Sequence, residues 1–304
     1  MTLEQLRIFI AVAQRAHVTK AAAALGLGQS AVSAAIAALE ARHGTKLFHR
    51  VGRGIALTEA GEQFLGAARA VLAQAQAAQA LLEELAGTTR GRLSLQASHT
   101  ISSYWLPRHL VAFRRAYPGI EIALTVGNSM QVAQAVLDGS AELGLVEGPV
   151  EFPTLLSLQV ARDSMVLVTG PEHPWAGAAQ LDPAALPQSE WVLREPGSGT
   201  RLEFEHALAG FGLSIADLRV ALELPSNEAV RGAVEAGLGA TALSASVAAP
   251  SLEAGLLRQV NFPLPERAFH LLRHRQRTPS RAGAAFSALI HPGSTFQDGT
   301  DHQR

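Results

Sequence analysis

Apolar positions recur with two different periods along the chain, and the change of period divides it. From residue 3 to 15, Leu3, Leu6, Phe9, Ile10 and Ala13 fall at helical spacing and predict an amphipathic first helix. Thr19 is placed to cap a second helix over 20–25, Gly26 supplies a turn, and Gln29 or Ser30 begins a third helix reaching about residue 42, with Val32, Ile36 and Leu39 inward. Leu47-Phe48 and Ile55 with Leu57 then flank Gly52-Arg53-Gly54, the pattern of a small β-wing with a glycine-rich tip. From 58 to 86 there is no proline, and an alanine-rich pattern carrying Phe64, Leu65, Val71, Leu72, Leu81, Leu82 and Leu85 predicts one long helix. Its apolar stripe is longer than so small a head can cover, which implies pairing with a second copy.

Beyond a glycine- and threonine-rich joint at 87–91 the pattern changes. Strand-like runs at 93–97, 120–126, 143–146, 165–169, 191–193, 220–224, 240–243 and 269–273 alternate with helical stretches such as 132–137 and 229–236. Alternation of this kind predicts an α/β body with a largely parallel sheet. The body, 91–291, divides into two lobes, 91–162 with 266–291 and 163–265, joined by crossings near Ala161-Arg162-Asp163 and Pro265-Glu266-Arg267. The polar, breaker-rich stretch 292–304 is expected to be a disordered tail.

Charge sharpens this division. Residues 1–57 hold seven cations against two anions, a net +5, and the whole-chain charge of −1 leaves −6 for the remainder. A basic head on an acidic body points to a polyanion met by the head alone. Apolar residues make up 48% and charged residues 17% of 304, a globular balance. Cysteine is absent, which excludes disulfides, thiolate zinc sites and thiol nucleophiles. Neither an export signal at the N-terminus nor a run of roughly 18 apolar residues is found, so a cytoplasmic protein without a membrane partner is expected. The glycine, serine and histidine signatures of nucleotide-binding, hydrolytic and metallopeptidase sites are missing and the eleven histidines show no ligand spacing, so no enzyme, metal or cofactor is expected.

Helix, tight turn, helix and basic wing together are DNA-binding chemistry, because base edges are read by short polar side chains near a helix N-terminus while cations and backbone amides take phosphates. Gln29, Ser30 and Ser33 are placed for the first task, and Arg50 and Arg53 for the second. These residues, with Leu6-Arg7-Ile8-Phe9, Val18-Thr19-Lys20-Ala21-Ala22, Leu39-Glu40, Leu47-Phe48-His49-Arg50 and Leu57-Thr58-Glu59-Ala60-Gly61, resemble the LysR-type transcriptional regulators. The resemblance extends over essentially the whole chain. It implies a winged helix-turn-helix domain (1–57), a linker and dimerisation helix with hinge (58–90), and an effector domain (91–291) with the two-lobed α/β architecture of type 2 periplasmic binding proteins.

It further implies Thr19, Lys20, Gln29, Ser30, Ser33, Arg50 and Arg53 at promoter DNA, a homodimer paired into a tetramer through the bodies, and contact with RNA polymerase. Ala34 and Ala35 follow Ser33 where long readers are common in relatives, which moves specificity toward phosphate contacts and DNA shape.

In the body, three strand-to-helix loops converge on the cleft between the lobes. They are the hydroxyl-rich turn 98–103, the segment 194–201, and Ser226-Asn227. Hydroxyls, helix N-terminal amides and cations favour an anionic inducer there, a choice that Glu147 opposes unless Arg194 or Arg201 pairs with it. The 98–103 and 194–201 loops resemble the branch of the family that regulates carbon-fixation and sulfur-assimilation operons. That resemblance places Ser98, Thr100, Ser102, Thr200 and Asn227 at the inducer, and Glu147, Arg194, Ser198 and Arg201 complete the expected lining.

Overall fold

A computed structural model describes residues 1–52, 54–85, 91–148, 150–177 and 179–291. Arg53, the joint at 86–90 and the tail from 292 lie outside the described residues. The chain divides into a head unit and a body unit.

In the head, α1 (Leu3–Arg15) opens with a reciprocal cap in which Thr2 Oγ1 accepts from the Gln5 amide at 3.2 Å and Gln5 Oε1 accepts from the Thr2 amide at 3.0 Å. Leu3, expected inward, is exposed; the buried set is Leu6, Ile8, Phe9, Ala11 and Val12. The reason is that α1 packs on two partners. Ile8 and Val12 meet Ala21, Ala22 and Val32 of α2 (Val18–Leu25) and α3 (Gln29–His43), while Leu6 and Phe9 meet Leu39, Leu47 and Ala68. The N-cap of α2 is His17, not Thr19, and it makes no side-chain cap bond.

The wing is an antiparallel hairpin of β1 (Phe48–Val51) and β2 (Gly54–Leu57), with Arg50 opposite Ile55. From it the chain enters α4 (Glu59–Leu85), whose first turn is fixed by Thr58, its hydroxyl donating to the Lys46 carbonyl at 2.7 Å and accepting from the Gly61 amide at 3.0 Å. At Gly61 a β-carbon would collide with the Leu47 carbonyl, so only glycine lets α4 lie this close to the wing. Phe64 packs on Phe9 at a ring distance of 5.0 Å. Farther along, Val71 and Leu82 are exposed, so part of the α4 stripe is uncovered.

In the body, one lobe is built from β3 (Arg92–Ser98), a wide helical turn Ile101–Trp105 running into α5 (Leu106–Ala116), β4 (Glu121–Gly127), α6 (Ser129–Asp138) and β5 (Leu143–Glu147). The long β6 (Leu155–Thr169) leaves it for the other lobe, which adds β7 (Glu190–Arg194), α7 (Gly199–Gly210), β8 (Arg219–Leu224), α8 (Asn227–Glu235), β9 (Ala240–Ser244), α9 (Ala245–Glu253) and β10 (Arg258–Val260). The return strand β11 (Glu266–His274) and α10 (Arg281–Ile290) complete the first lobe.

Strand order is β4-β3-β5-β11-β6-β9-β7-β8, with β10 on β6. The sheet is parallel at both ends, in β3 with β4 and β5 and in β7 with β8 and β9, but antiparallel at its centre. This corrects the expectation of a largely parallel sheet. The two strands that pass between the lobes run in opposite directions and so pair antiparallel with each other, and each is also antiparallel to its outer neighbour, β11 to β5 and β6 to β9. β6 pairs with β11 over its first two thirds and with β9 over Met165–Thr169. Its later residues alternate between two cores. Met165 and Leu167 join Trp191 and Phe204 on one face, and Val166 and Val168 join Val192, Val230 and Leu243 on the other.

Candidate functional site: a recognition helix and an interlobe cleft

α3 begins after Gly28 and presents Gln29, Ser30 and Ser33 exposed, Ser33 lying one helical turn beyond the adjacent pair, while Val32 and Leu39 are held in the core. Thr19 and Lys20 are exposed in the first turn of α2, and Arg50 is exposed on the wing. None of these six side chains has a hydrogen-bond or ion-pair partner among the described residues.

The wing is held to the recognition helix by Glu40, which the sequence marks only as part of the Leu39-Glu40 motif. Buried at the end of α3, its carboxylate accepts from Lys46 Nζ at 2.7 Å and from the Leu47 and Phe48 amides at 2.9 and 3.2 Å. Burial by itself would raise the Glu40 pKa, but the Lys46 hydrogen bond and the two backbone amides outweigh it and hold the carboxyl below its ordinary range.

In the body the lobes meet along one seam. The Met130 amide donates to the Gly197 carbonyl at 3.2 Å, Asn128 Nδ2 to Glu195 Oε1 at 3.2 Å, and the Tyr104 hydroxyl to Glu228 at 3.4 Å. Behind the seam lies a buried polar cluster centred on Thr100. Its hydroxyl oxygen accepts from Asn227 Nδ2 at 2.9 Å and from an Arg267 Nη at 3.4 Å. The other Arg267 Nη donates to Thr200 at 3.0 Å, and Arg194 donates to Asn227 Oδ1 at 2.7 Å. Thr100 belongs to the first lobe, Thr200, Arg194 and Asn227 to the second, and Arg267 to a strand that crosses between them. The cluster therefore registers how the two lobes are set.

Both arginines already have carboxylate partners. Arg267 pairs with Asp163 at 2.7 Å, with Asp163 also accepting from Ser244 at 2.9 Å, and Arg194 is held by Glu195 at 2.8 Å. The Arg194 hydrogen bonds, second only to burial, which opposes them, leave Glu195 below its ordinary range. Glu147 is buried, but it accepts from Ser129 at 3.0 Å rather than pairing with either expected arginine.

Of the residues expected at the inducer, Thr100, Arg194, Thr200 and Asn227 are brought together in this cluster. Ser98 is buried at the end of β3 with its hydroxyl unpartnered among the described residues, and Ser198 is buried at the N-cap of α7. Ser102 is half-buried and donates back to the His99 carbonyl at 2.9 Å. Arg201 is turned away, its guanidinium taken by Glu205 at 2.8 Å, by Glu223 and by the Arg194 carbonyl. Two cluster members, Asp163 and Arg267, stand at the crossings that the sequence marks only as lobe boundaries. Opposite charges at both crossings were the signal, since a crossing strand in the sheet centre is buried and its charges must pair. His99 lies beside the cluster, where burial first and the Arg194 charge second push its imidazole below the usual histidine range.

Comparison with known proteins agrees with both halves. Residues 3–62 match the family described as "Bacterial regulatory helix-turn-helix protein, lysR family", and residues 86–293 match the "LysR substrate binding domain". The Escherichia coli K12 protein described as an uncharacterized HTH-type transcriptional regulator, YeiE, is 37% identical over 297 residues, covering 97% of this chain and 98% of its own. A RuBisCO operon transcriptional regulator of Allochromatium vinosum is 32% identical over 293 residues, 95% of each chain. The regulatory domain of Synechocystis CcmR, solved in complex with 2-PG, is 28% identical with a TM-score of 0.60, over 66% of this chain and 96% of its own. With a basic helix-turn-helix head, a two-lobed body and matches to both family domains, the chain belongs to the LysR family of DNA-binding transcriptional regulators, which are not enzymes.

Proposed function

We propose that this regulator binds promoter DNA as a dimer and that a small anionic inducer, seated in the interlobe cleft, changes how it does so. The observation that carries this reading is the Thr100–Asn227–Arg267–Thr200 cluster, which ties both lobes to the crossing strand through hydrogen bonds. A ligand entering there exchanges those bonds for its own, so occupancy and lobe setting are coupled. Since Arg194 and Arg267 each keep a carboxylate partner, the cleft suits one anionic group on a small molecule rather than a polyanion. A relative of this chain's body that is solved with a small ligand, the CcmR domain with 2-PG, supports an inducer of that size.

The head reads DNA through Thr19, Lys20, Gln29, Ser30 and Ser33, with Arg50 on phosphate; Arg53, outside the described residues, joins it by its place at the wing tip. The uncovered α4 stripe at Val71 and Leu82 makes the dimer, the bodies pair dimers into a tetramer, and the DNA-bound assembly contacts RNA polymerase in the cytoplasm. The test has two parts. Fluorescence anisotropy of the full chain on promoter DNA gives a log K falling steeply with log salt, and a flat line would reject the DNA reading. Thermal-shift screening against small carboxylates, phosphates and sulfur oxyanions gives a stabilising ligand worth about 2.7 kcal/mol at 100 times its dissociation constant, and this gain is lost in Thr100→Ala.

A further inference from the structure

The cleft mechanism leaves one buried acid unused. Glu203 follows Thr200 by one turn of α7 and so faces the same side of that helix, toward the first lobe. It is nine-tenths buried, at 9% exposure. Its carboxyl rests against Gly148, where the backbone leaves β5 with φ +70° and where any β-carbon would collide with the Glu203 oxygens. The Gly148 amide is itself spent on the Ala268 carbonyl at 2.9 Å, and no donor among the described residues reaches Glu203. Beside this contact, the N-terminus of α7 sits directly on Glu147 and Ser129, since a β-carbon at Gly199 would meet both. An acid on one lobe is thus pressed, without a hydrogen bond, onto the backbone of the other lobe next to a second buried acid.

The charged groups around Glu203 are Glu147 at the end of β5, Arg267 on β11 and His206 on its own helix. Burial is the largest influence and favours the neutral acid. His206 and Arg267 oppose it and Glu147 adds to it, and the balance is a carboxyl held above its ordinary range.

We propose that Glu203 is a proton switch on lobe closure: its carboxylate takes one proton from solvent when the lobes close over it and returns it when they part. Closure is then favoured in acid and weakened as pH rises, because the separated lobes return the carboxylate to water while the closed lobes leave it largely desolvated, with no donor among the described residues. Effector affinity inherits this pH dependence, a point that rests on the cleft being the effector site, whereas closure itself is measured without any effector.

The chain has no cysteine, so Ala116→Cys and Ala209→Cys, on exposed positions of the two lobes, create the only labelling sites. Pulsed electron paramagnetic resonance on the doubly spin-labelled full chain, in a pH series rising from the ordinary carboxylate range through neutrality, reports the interlobe distance. The expected result is a distribution that lengthens with pH. In Glu203→Gln, whose amide is neutral at every pH, the short distance persists throughout. Glu147→Gln moves the midpoint to lower pH by removing the repulsion that favours protonation, and this variant decides the matter if Glu203→Gln proves unfolded by circular dichroism. A distance independent of pH, a Glu203→Gln variant that opens like the parent, or a Glu147→Gln midpoint that does not move overturns the proposal and leaves the cleft reading standing. A thermal-shift screen without any binder fails the cleft reading and leaves the switch standing.

Discussion

The recognition helix and the interlobe cleft treat polar side chains in opposite ways. On α3, Gln29, Ser30 and Ser33 are exposed and keep their hydrogen-bonding capacity free. In the cleft, Thr100, Thr200, Arg194, Asn227 and Arg267 are buried and bonded to one another. On the proposed function, a surface that reads DNA needs unspent donors and acceptors on a rigid support, whereas a cleft that senses a small molecule works by exchanging bonds it already has. Substitutions on α3 should therefore change DNA binding with little effect on stability, and substitutions in the cleft should change both stability and ligand response.

The largest test of that contrast is Arg267→Met. It leaves Asp163 buried with only the Ser244 hydroxyl, and loss of one partner of a buried pair costs about 3–5 kcal/mol. Urea denaturation of the full chain should show the loss, and unchanged stability would break the contrast at its strongest point.

Next comes Glu40→Ala, which orphans the Leu47 and Phe48 amides and should destabilise the head by about 1–3 kcal/mol, read as lost hydrogen-exchange protection at those amides. Because the Glu40 pKa is lowered in the fold, the stability it supplies is present above the ordinary carboxylate range. It should vanish as pH falls through the lowered value. Glu40→Ala should therefore match the parent in strong acid and diverge from it toward neutrality.

Smaller effects separate the two sites in function. Ser33→Ala should keep stability within about 0.5 kcal/mol of the parent while reducing preference for operator over random DNA by about 1 kcal/mol. Thr100→Ala should leave that preference intact and lose ligand-induced stabilisation; equal losses in both assays would erase the division. The smallest expected change is in Arg50→Ala, which should lower the slope of log K against log salt by about 1 and weaken all DNA sequences alike.

The head was largely legible from sequence because its elements are made by near neighbours. Gly26 and Gly44 end their helices at left-handed backbone, and the pairs around Gly52 close a hairpin. Where the head departs from the sequence pattern, a second partner is responsible: Leu6 and Phe9 are buried as expected against the wing and α4, but α2 and α3 also draw Ile8 and Val12 inward while Leu3 stays out. In the body most strands were legible from their apolar runs, but β10 and the first two thirds of β6 were not, and neither were the directions at the centre, because nothing local tells a crossing strand from one that returns over a helix. The site followed the same rule. Hydroxyls in the loops 98–103 and 194–201 marked the cleft, yet Arg201 was expected in it and Arg267 was not.

The sequence by itself determined the elements of this regulator, the basic character of its head and the loops that border its cleft, since each depends on residues within a few turns of one another. Tertiary structure alone decided which charges count there. Arg201 is drawn off by Glu205 and by Glu223, some twenty positions along, and Arg267 meets Asp163 from more than a hundred positions away. Glu203 is buried because α7 of one lobe comes down on Gly148 of the other. Pairing and desolvation set the free energy of a charge, and both depend on how the chain returns to itself.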